Sequence, residues 1–409
     1  MRDPEIINDG RKKVKTTVQG LLHSAGISIN GEHPWDIVVH NDKFYKRLLS
    51  NPELSLAETY MEGLWDCVRL DQFFSKLLSV RLDVKIRNNP RFWLLYLRHR
   101  LSAMAFRIFN FQTQEKSFEV GHKHYDIGND LYQAMLDKRM VYTCAYWENG
   151  ASNLDEAQEE KLHLTCQKLD LKPGMTVLDI GCGFGSFAKF AAEHYGVTVT
   201  GNTISRQQYE YAKKSCSELP VEIRFQDYRD LLQDQKKYDR IVSLGMFEHV
   251  GYKNYATYMK VASHCLKEDG IFLLHTIGGN ASQVTCSSQF INQYIFPNGN
   301  IPSIAQIGKS IERKFVMEDW HNFGVNYDKT LMAWHHNFNR HWDSQLRENY
   351  DERFRRMWNY YLLSCAASFR TRQNQLWQLV LTTKGLSQGF AFNRYDYEAL
   401  PKSSCRQAS

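Results

Sequence analysis

The sequence has no apolar run approaching the roughly 20 residues that span a bilayer, so nothing in it reads as a transmembrane helix. Its first residues, Met1-Arg-Asp-Pro-Glu-Ile-Ile, lack a basic region followed by an apolar block, and no secretory signal is expected. Its nine cysteines are scattered, at positions 67, 144, 166, 182, 216, 265, 286, 365 and 405, and no C-x-x-C pair occurs among them. That scatter argues against zinc ribbons and a disulfide framework and suits a reducing, cytoplasmic setting; no metal is expected. Excess charge is scarce too, with 51 Lys and Arg against 45 Asp and Glu for a net +6, too little for a nucleic-acid footprint unless it clusters. No internal repeat is visible. What is present is a hydrophobic fraction of 43% and an aromatic fraction of 13% over 409 residues, enough for one large domain or two ordinary ones. The surplus of rings suits a core, and equally a greasy or cationic ligand.

Residues 1–112 read as a smaller, mostly helical unit. Gly20 to Gly31 followed by Trp35-Asp-Ile-Val-Val39 predicts a helix and then a short strand, and Leu70 to Leu78 has helical apolar spacing. Val84 to Gln114 contains no acidic residue but carries Lys85, Arg87, Arg91, Arg98, Arg100 and Arg107. Within it Leu94, Leu97, Leu101, Met104 and Ile108 recur on one helical face. Two readings stay open: a core helix with a solvated basic side, or a surface for anionic phospholipid, at up to about 1 kcal/mol per basic residue.

From about residue 155 strands and helices alternate. Helix 154–169, strand 176–180, helix 187–195, strand 197–200, helix 207–216, strands 221–225 and 238–244, helix 255–266 and strand 270–275 predict an open parallel sheet with helices on both faces. Its ligand is expected beyond the carboxyl ends of the strands.

The first strand runs into Val177-Leu-Asp-Ile-Gly-Cys-Gly-Phe-Gly185. Glycines there let the backbone turn and let a ligand approach the main chain. A dinucleotide site would want G-x-G-x-x-G and an acidic residue ending the second strand, where Thr200-Gly-Asn-Thr-Ile-Ser205 has none. The pattern D-x-G-x-G-x-G instead resembles the S-adenosylmethionine methyltransferases. The resemblance implies an α/β, Rossmann-like class I fold with a smaller, mainly helical N-terminal domain (1–112), a catalytic domain (113–390) and a polar tail (391–409).

Further motifs follow one another in order: His124-Tyr-Asp-Ile-Gly-Asn-Asp130, Tyr142-Thr-Cys-Ala-Tyr-Trp147, Thr203-Ile-Ser-Arg-Gln-Gln208, Gln226-Asp-Tyr-Arg-Asp230, Gly245-Met-Phe-Glu-His-Val-Gly251, Leu274-His-Thr-Ile-Gly278 and Met317-Glu-Asp-Trp-His-Asn-Phe-Gly324. Together they make nearly the whole chain similar to the cyclopropane-fatty-acid-phospholipid synthases of the mycolic acid cyclopropane synthase family. That resemblance implies methylene addition across the cis double bond of an acyl chain on a membrane phospholipid, by a peripherally membrane-associated homodimer. It implies S-adenosylmethionine held by Tyr142 and Thr143, by Val177, Leu178, Asp179, Ile180, Gly181, Cys182, Gly183, Phe184 and Gly185, and by Thr203, Ile204, Ser205, Arg206, Gln207 and Gln208, with Asp227 and Tyr228 near the adenine. Phe184 stands where the family more often has Trp, and Thr143 where Ser is common. Both substitutions keep the chemistry, one apolar bulk and the other a hydroxyl.

The same resemblance implies a bound bicarbonate ion as base, held by Cys144, Glu248, His275, Ile277 through its backbone, and Tyr327. Such chemistry needs an oriented methyl donor, aromatic faces around a carbocation and a base beside it. By residue type alone His275 reads as a core histidine, Glu248 as a helix cap and Cys144 as a small buried hydrophobe. Cys365, in Leu363-Ser-Cys-Ala-Ala367, matches a cysteine proposed as catalytic in the family, though no step requires a thiolate. Two rival functions stay open: a small-molecule N-methyltransferase and a catalytically silent lipid-binding protein.

Overall fold

The computed structural model describes residues 4–80, 128–284 and 288–392, with side chains from Val14 onward. The basic stretch 84–114, the motif at 124–130 up to Ile127, and the tail beyond 392 lie outside the described residues. The N-terminal part comprises α1 (Pro4–His23), β1 (Ile37–Val39), α2 (Lys43–Ser50), α3 (Pro52–Met61), β2 (Trp65–Cys67) and α4 (Leu70–Ser79), with β1 and β2 paired antiparallel. The expected helix from Gly20 therefore begins earlier and ends at His23, while the helix at Leu70 lies where its apolar spacing put it.

After α5 (Asn129–Met135) and α6 (Leu154–Lys168), the chain alternates through β3 (Thr176–Ile180), α7 (Ser186–Tyr195), β4 (Thr198–Thr203), α8 (Arg206–Ser215), β5 (Val221–Phe225), β6 (Tyr238–Leu244), α9 (Tyr255–Cys265) and β7 (Leu266–Gly279). Val177, Leu178 and Ile180 are fully buried, as a central parallel strand covered on both faces requires. Caps fix the helix starts: the Asn153 side chain accepts from Glu156 N at 3.0 Å and Ser205 from Gln208 N at 3.3 Å.

The remaining elements are α10 (Ile304–Ile311), β8 (Val316–Asn322), α11 (Val325–Arg340), α12 (Glu352–Arg370) and β9 (Asn374–Thr382). Among the described residues they complete a seven-stranded sheet in the order β5-β4-β3-β6-β7-β9-β8. The expectation of a purely parallel sheet is corrected at this edge, because β9 runs antiparallel to both β7 and β8. Strand β9 slots between them, pairing Ile271–Gly279 of β7 with Thr382–Asn374. Gly278 makes room for this closure: a Cβ there would stand 2.1–2.3 Å from the Trp377 ring.

Helices α11 and α12 lie at the end of the sheet that carries the loops and share a core with the N-terminal part. Phe44, Trp65, Phe73 and Phe74 belong to the same buried cluster as Trp358, Tyr360 and Phe369, and Phe74 meets Tyr360 edge-on at 4.8 Å. Arg370 ties the two parts together. It grips Asp328 with two hydrogen bonds of 2.8 and 2.9 Å and reaches Asp71 of α4 at 2.9 Å. This arginine fork, half-buried between two carboxylates, fixes α4 against the first turn of α11, where Tyr327 sits.

Candidate active site

A cleft opens at the carboxyl ends of β3, β4 and β6. Its floor is the glycine loop, where Gly181 (φ +80), Gly183 (φ +56) and Gly185 (φ +78) all take left-handed conformations. A Cβ on Gly181 would lie 2.5 Å from Met246 Cγ, whereas one on Gly183 would meet open space. The loop thus presents bare backbone to the cleft. Tyr142, Thr143, Asp179, Gly181, Cys182, Gly183, Phe184, Thr203, Ile204, Gln208, Asp227 and Tyr228 line it. The other residues of the expected cofactor set stand behind this wall. Val177, Leu178 and Ile180 face the core, Gly185 starts α7, Ser205 caps α8, and Arg206 and Gln207 follow in its first turn.

Several buried polar atoms along the cleft have no hydrogen-bond partner among the described residues: Asp179 Oδ2, Asn202 Oδ1 and Tyr228 OH. Unsatisfied groups of this kind cost stability unless a ligand pairs with them. Burial pushes the Asp179 carboxyl up to about 7. Asp227 is spoken for, accepting from Arg229 N at 2.9 Å and from its guanidinium at 3.0 Å. A glycine cradle, a nearby carboxyl and orphan acceptors fit the adenosine and the amino-acid tail of S-adenosylmethionine.

The sequence reading missed Lys161. It lines the cleft from α6, is wholly buried, and donates to Thr143 Oγ1 at 2.9 Å. It belongs to a row of fully buried polar side chains on α6, namely Gln158, Lys161, Thr165 and Lys168. Their spacing of three, four and three residues puts them on one helical face. That spacing was legible, but polar residues at helical spacing ordinarily mean a solvated side. Gln158 donates to the Thr143 carbonyl at 2.8 Å, and the Lys168 ammonium stands 3.0 Å from His321 Nδ1. Asn202, Arg229, Met246, His249, Pro297 and Asn298 also line the cleft without having been expected there.

Cys144, Glu248, His275, Ile277 and Tyr327 do not line the cleft; Glu248 is linked to Ile277 and lies near Tyr327, which lies near Cys144, while His275 stands two residues before Ile277 on β7. Ile277 N donates to Glu248 Oε1 at 2.5 Å, and Gly245 N to the His275 carbonyl at 2.9 Å, so the turn after β6 is laced to β7. Burial raises the Glu248 carboxyl to about 7. Burial holds the Tyr327 phenol well above its usual range, and Cys144 and Glu248 lie close enough to bear on it. Burial also pushes the Cys144 thiol up, so it remains protonated. Cys365 lies half-buried on α12, close enough to Tyr327 and Tyr361 to bear on their phenols.

The tautomer of His275 follows from its neighbours. Thr165 Oγ1 donates its proton to the Lys161 carbonyl at 2.8 Å, so its oxygen accepts from Gln378 Nε2 at 3.2 Å. The same Gln378 nitrogen faces His275 Nδ1 at 3.4 Å, which makes Nδ1 an acceptor and leaves the ring proton on Nε2. Burial, with the Lys161 and Lys168 charges adding to it, holds the ring neutral. His275 Nε2 and Glu248 Oε2 are both buried and without a partner among the described residues. An N–H donor and a carboxyl that titrates near neutrality are what a small protonatable anion needs.

Packed rings connect the cleft with Tyr327. Tyr142 touches Trp334 at 5.1 Å and Phe296 at 6.3 Å, and its hydroxyl meets that of Tyr361 at 2.9 Å. Tyr327 packs on Phe369 at 4.6 Å and on Trp334 at 6.0 Å. Such faces attract a cation by roughly 0.5–2 kcal/mol each when desolvated. Among the described residues no cluster of three or more His, Cys, Asp or Glu could hold a metal ion.

The raised Glu248 carboxyl carries a stability signature. In the folded, ligand-free protein it binds its proton up to about pH 7, against about 4.5 when unfolded. Its ionisation therefore disfavours the fold progressively as pH rises through that window. Relative to Glu248→Gln, the wild-type protein should lose up to about 3 kcal/mol of unfolding free energy between pH 4.5 and 7. Urea titrations across that range check this, and parallel curves for the two proteins would exclude it.

The strand order, with β9 alone reversed, and the glycine cleft at the carboxyl ends define the class I S-adenosylmethionine-dependent methyltransferase fold. Comparison with known proteins narrows the class. The family model for mycolic acid cyclopropane synthetase matches residues 112–379. The cyclopropane-fatty-acyl-phospholipid synthase of Escherichia coli strain K12 is 50% identical over 374 residues, 91% of this chain and 94% of that protein. The structure of the cyclopropane synthase MmaA2 from Mycobacterium tuberculosis superimposes with a TM-score of 0.61 at 31% identity, covering 67% of this chain and 99% of that one. The mycolic acid cyclopropane synthase CmaA1 complexed with SAH and CTAB gives 0.59 at 30% identity over 64% and 97%. The chain belongs to the mycolic acid cyclopropane synthetase family.

Proposed function

We propose that this chain is a cyclopropane-fatty-acyl-phospholipid synthase that uses S-adenosylmethionine and a bound bicarbonate ion. One arrangement carries the reading: a buried carboxyl oxygen near Tyr327, Glu248 Oε2, and a buried imidazole N–H two residues from the Ile277 amide that Glu248 accepts from, His275 Nε2, both stand without partners among the described residues. Family membership and half-identity to the Escherichia coli enzyme support it. S-adenosylmethionine, when bound, supplies an electrophilic methyl group.

The chain's residues then have three tasks. Tyr142, Phe296, Tyr327, Trp334 and Tyr361 exclude water and face the positive charge that develops on an alkylated alkene. The loop 181–185 fixes orientation, the main lever when the nucleophile is as poor as a double bond. Glu248, His275 and Tyr327 hold the anion that takes up the proton whose loss closes the ring. Two neighbouring anions repel unless a proton lies between them, and a carboxyl titrating near 7 can share one. Residues 1–112 serve in this reading as the lipid-contacting unit of a peripherally bound homodimer, and 113–390 as the catalytic unit.

The test is incubation of purified protein with S-adenosylmethionine and vesicles of unsaturated phospholipid, followed by mass analysis of the acyl chains. Each modified chain should gain one CH2 and lose its double bond. Unchanged chains, or methylation of a headgroup amine instead, would overturn the reading.

A further inference from the structure

Lys161 is a wholly buried ammonium in the wall of the cleft, and the alkylation chemistry described above does not use it. Its hydrogen bond goes to the Thr143 hydroxyl, and among the described residues no carboxylate forms an ion pair with it. The nearest negative groups are poor counter-ions. Burial raises Asp179 to about 7, so it is partly protonated near neutrality, and Asp137, raised to about 6, acts on Lys161 only through space. Asp137 also turns its oxygens to the backbone N–H groups of Val141 and Arg139, at 2.8 and 2.9 Å. A buried cation lacking a firm partner destabilises the empty protein, and a ligand anion would relieve that cost.

The geometry states what kind of anion. An ammonium has donors only, so Thr143 Oγ1 accepts from Lys161 and keeps its own proton to donate elsewhere. Thr143 lines the same cleft as the glycine loop, with its methyl group packed against Gly245. Gln158 holds the same residue from behind through its carbonyl, so the hydroxyl is fixed in place as well as in polarity. A positive wall ending in an obligate hydroxyl donor suits a carboxylate.

We propose that Lys161, acting through the Thr143 hydroxyl, is the positioning residue that fixes the carboxylate of the cofactor's amino-acid tail. The proposal rests on the cofactor assignment above and refines it. By pinning the tail, the pair sets how far the sulfonium projects from the glycine loop. It also explains why threonine serves where serine is common: both carry the hydroxyl, and only the hydroxyl is used.

The test compares S-adenosylhomocysteine with its decarboxylated counterpart, which keeps adenosine, sulfur and amine but lacks the carboxylate. Calorimetric titration of the full chain should show the wild type preferring S-adenosylhomocysteine by roughly tenfold to a hundredfold, the range of a charge-assisted hydrogen bond. Lys161→Met and Thr143→Val should each bring that preference close to one, while Thr143→Ser should keep it. General damage to the site would weaken both ligands in proportion and leave their ratio unchanged, and that result overturns the proposal. So does a wild type with no preference. If Lys161→Met does not fold, Thr143→Val against Thr143→Ser decides alone. If the wild type binds neither nucleoside, the cofactor assignment itself falls; if it binds both and the variants keep the preference, only the role of Lys161 does.

Discussion

Glu248→Gln should lower turnover by about 10²–10⁴-fold, the range attributed to a correctly placed base, while leaving the affinity for S-adenosylhomocysteine within about threefold of wild type. Glutamine keeps the acceptor oxygen that takes the Ile277 N–H, so the link between the β6 turn and β7 survives. What it loses is the second carboxyl oxygen, Oε2, the buried atom with no partner among the described residues. An amide cannot share a proton with an adjoining anion, and it offers an N–H where an acceptor stood. Separation of the two readouts is essential, because Glu248 does not line the cleft. Parallel loss of turnover and cofactor affinity would mean that Glu248 belongs to the cofactor wall instead.

Gly181→Ala should do the reverse, weakening S-adenosylhomocysteine by roughly tenfold to a hundredfold. A side chain at φ +80 costs about 1–3 kcal/mol by itself. The new Cβ would also stand 2.5 and 2.8 Å from Met246 Cγ and Cβ. Those atoms are close to the Met246 backbone and have little freedom to withdraw, so the turn after β6 would have to move. That turn leads directly into Glu248. A titration showing wild-type affinity would remove the glycine loop from the cofactor site.

These two residues also mark what could be read from the chain. Strands β3 and β6 fall at the residues their largely apolar runs indicate, as strands inside a sheet covered on both faces must be, and the edge strand β5 falls where Val-Glu-Ile-Arg-Phe alternates apolar and charged residues. Strand β8 reads Val-Met-Glu-Asp-Trp-His-Asn, an edge with polar side chains, and gives no such signal. Reversal of β9 is invisible for another reason: direction depends on α11 and α12 folding back, and not on the strand's own residues. Motifs led to Glu248, His275 and Tyr327, but nothing local could say that Gln378, about a hundred residues later, sets the His275 tautomer. Lys161 was hidden by a reasonable rule applied to the wrong face of a helix.

The row of Gln158, Lys161, Thr165 and Lys168 has a consequence for how the chain chooses its structure. Apolar contacts are forgiving of a helix that rotates or slides, since one methyl group packs much like another. An amide, a hydroxyl and two ammonium groups are not. Turned by one residue, each would be buried against a surface with nothing to bond, at about 1–3 kcal/mol apiece and more for the charges. Helix α6 therefore has a single tolerable register, and the pairing that selects it is the same one that places Thr143 and His275.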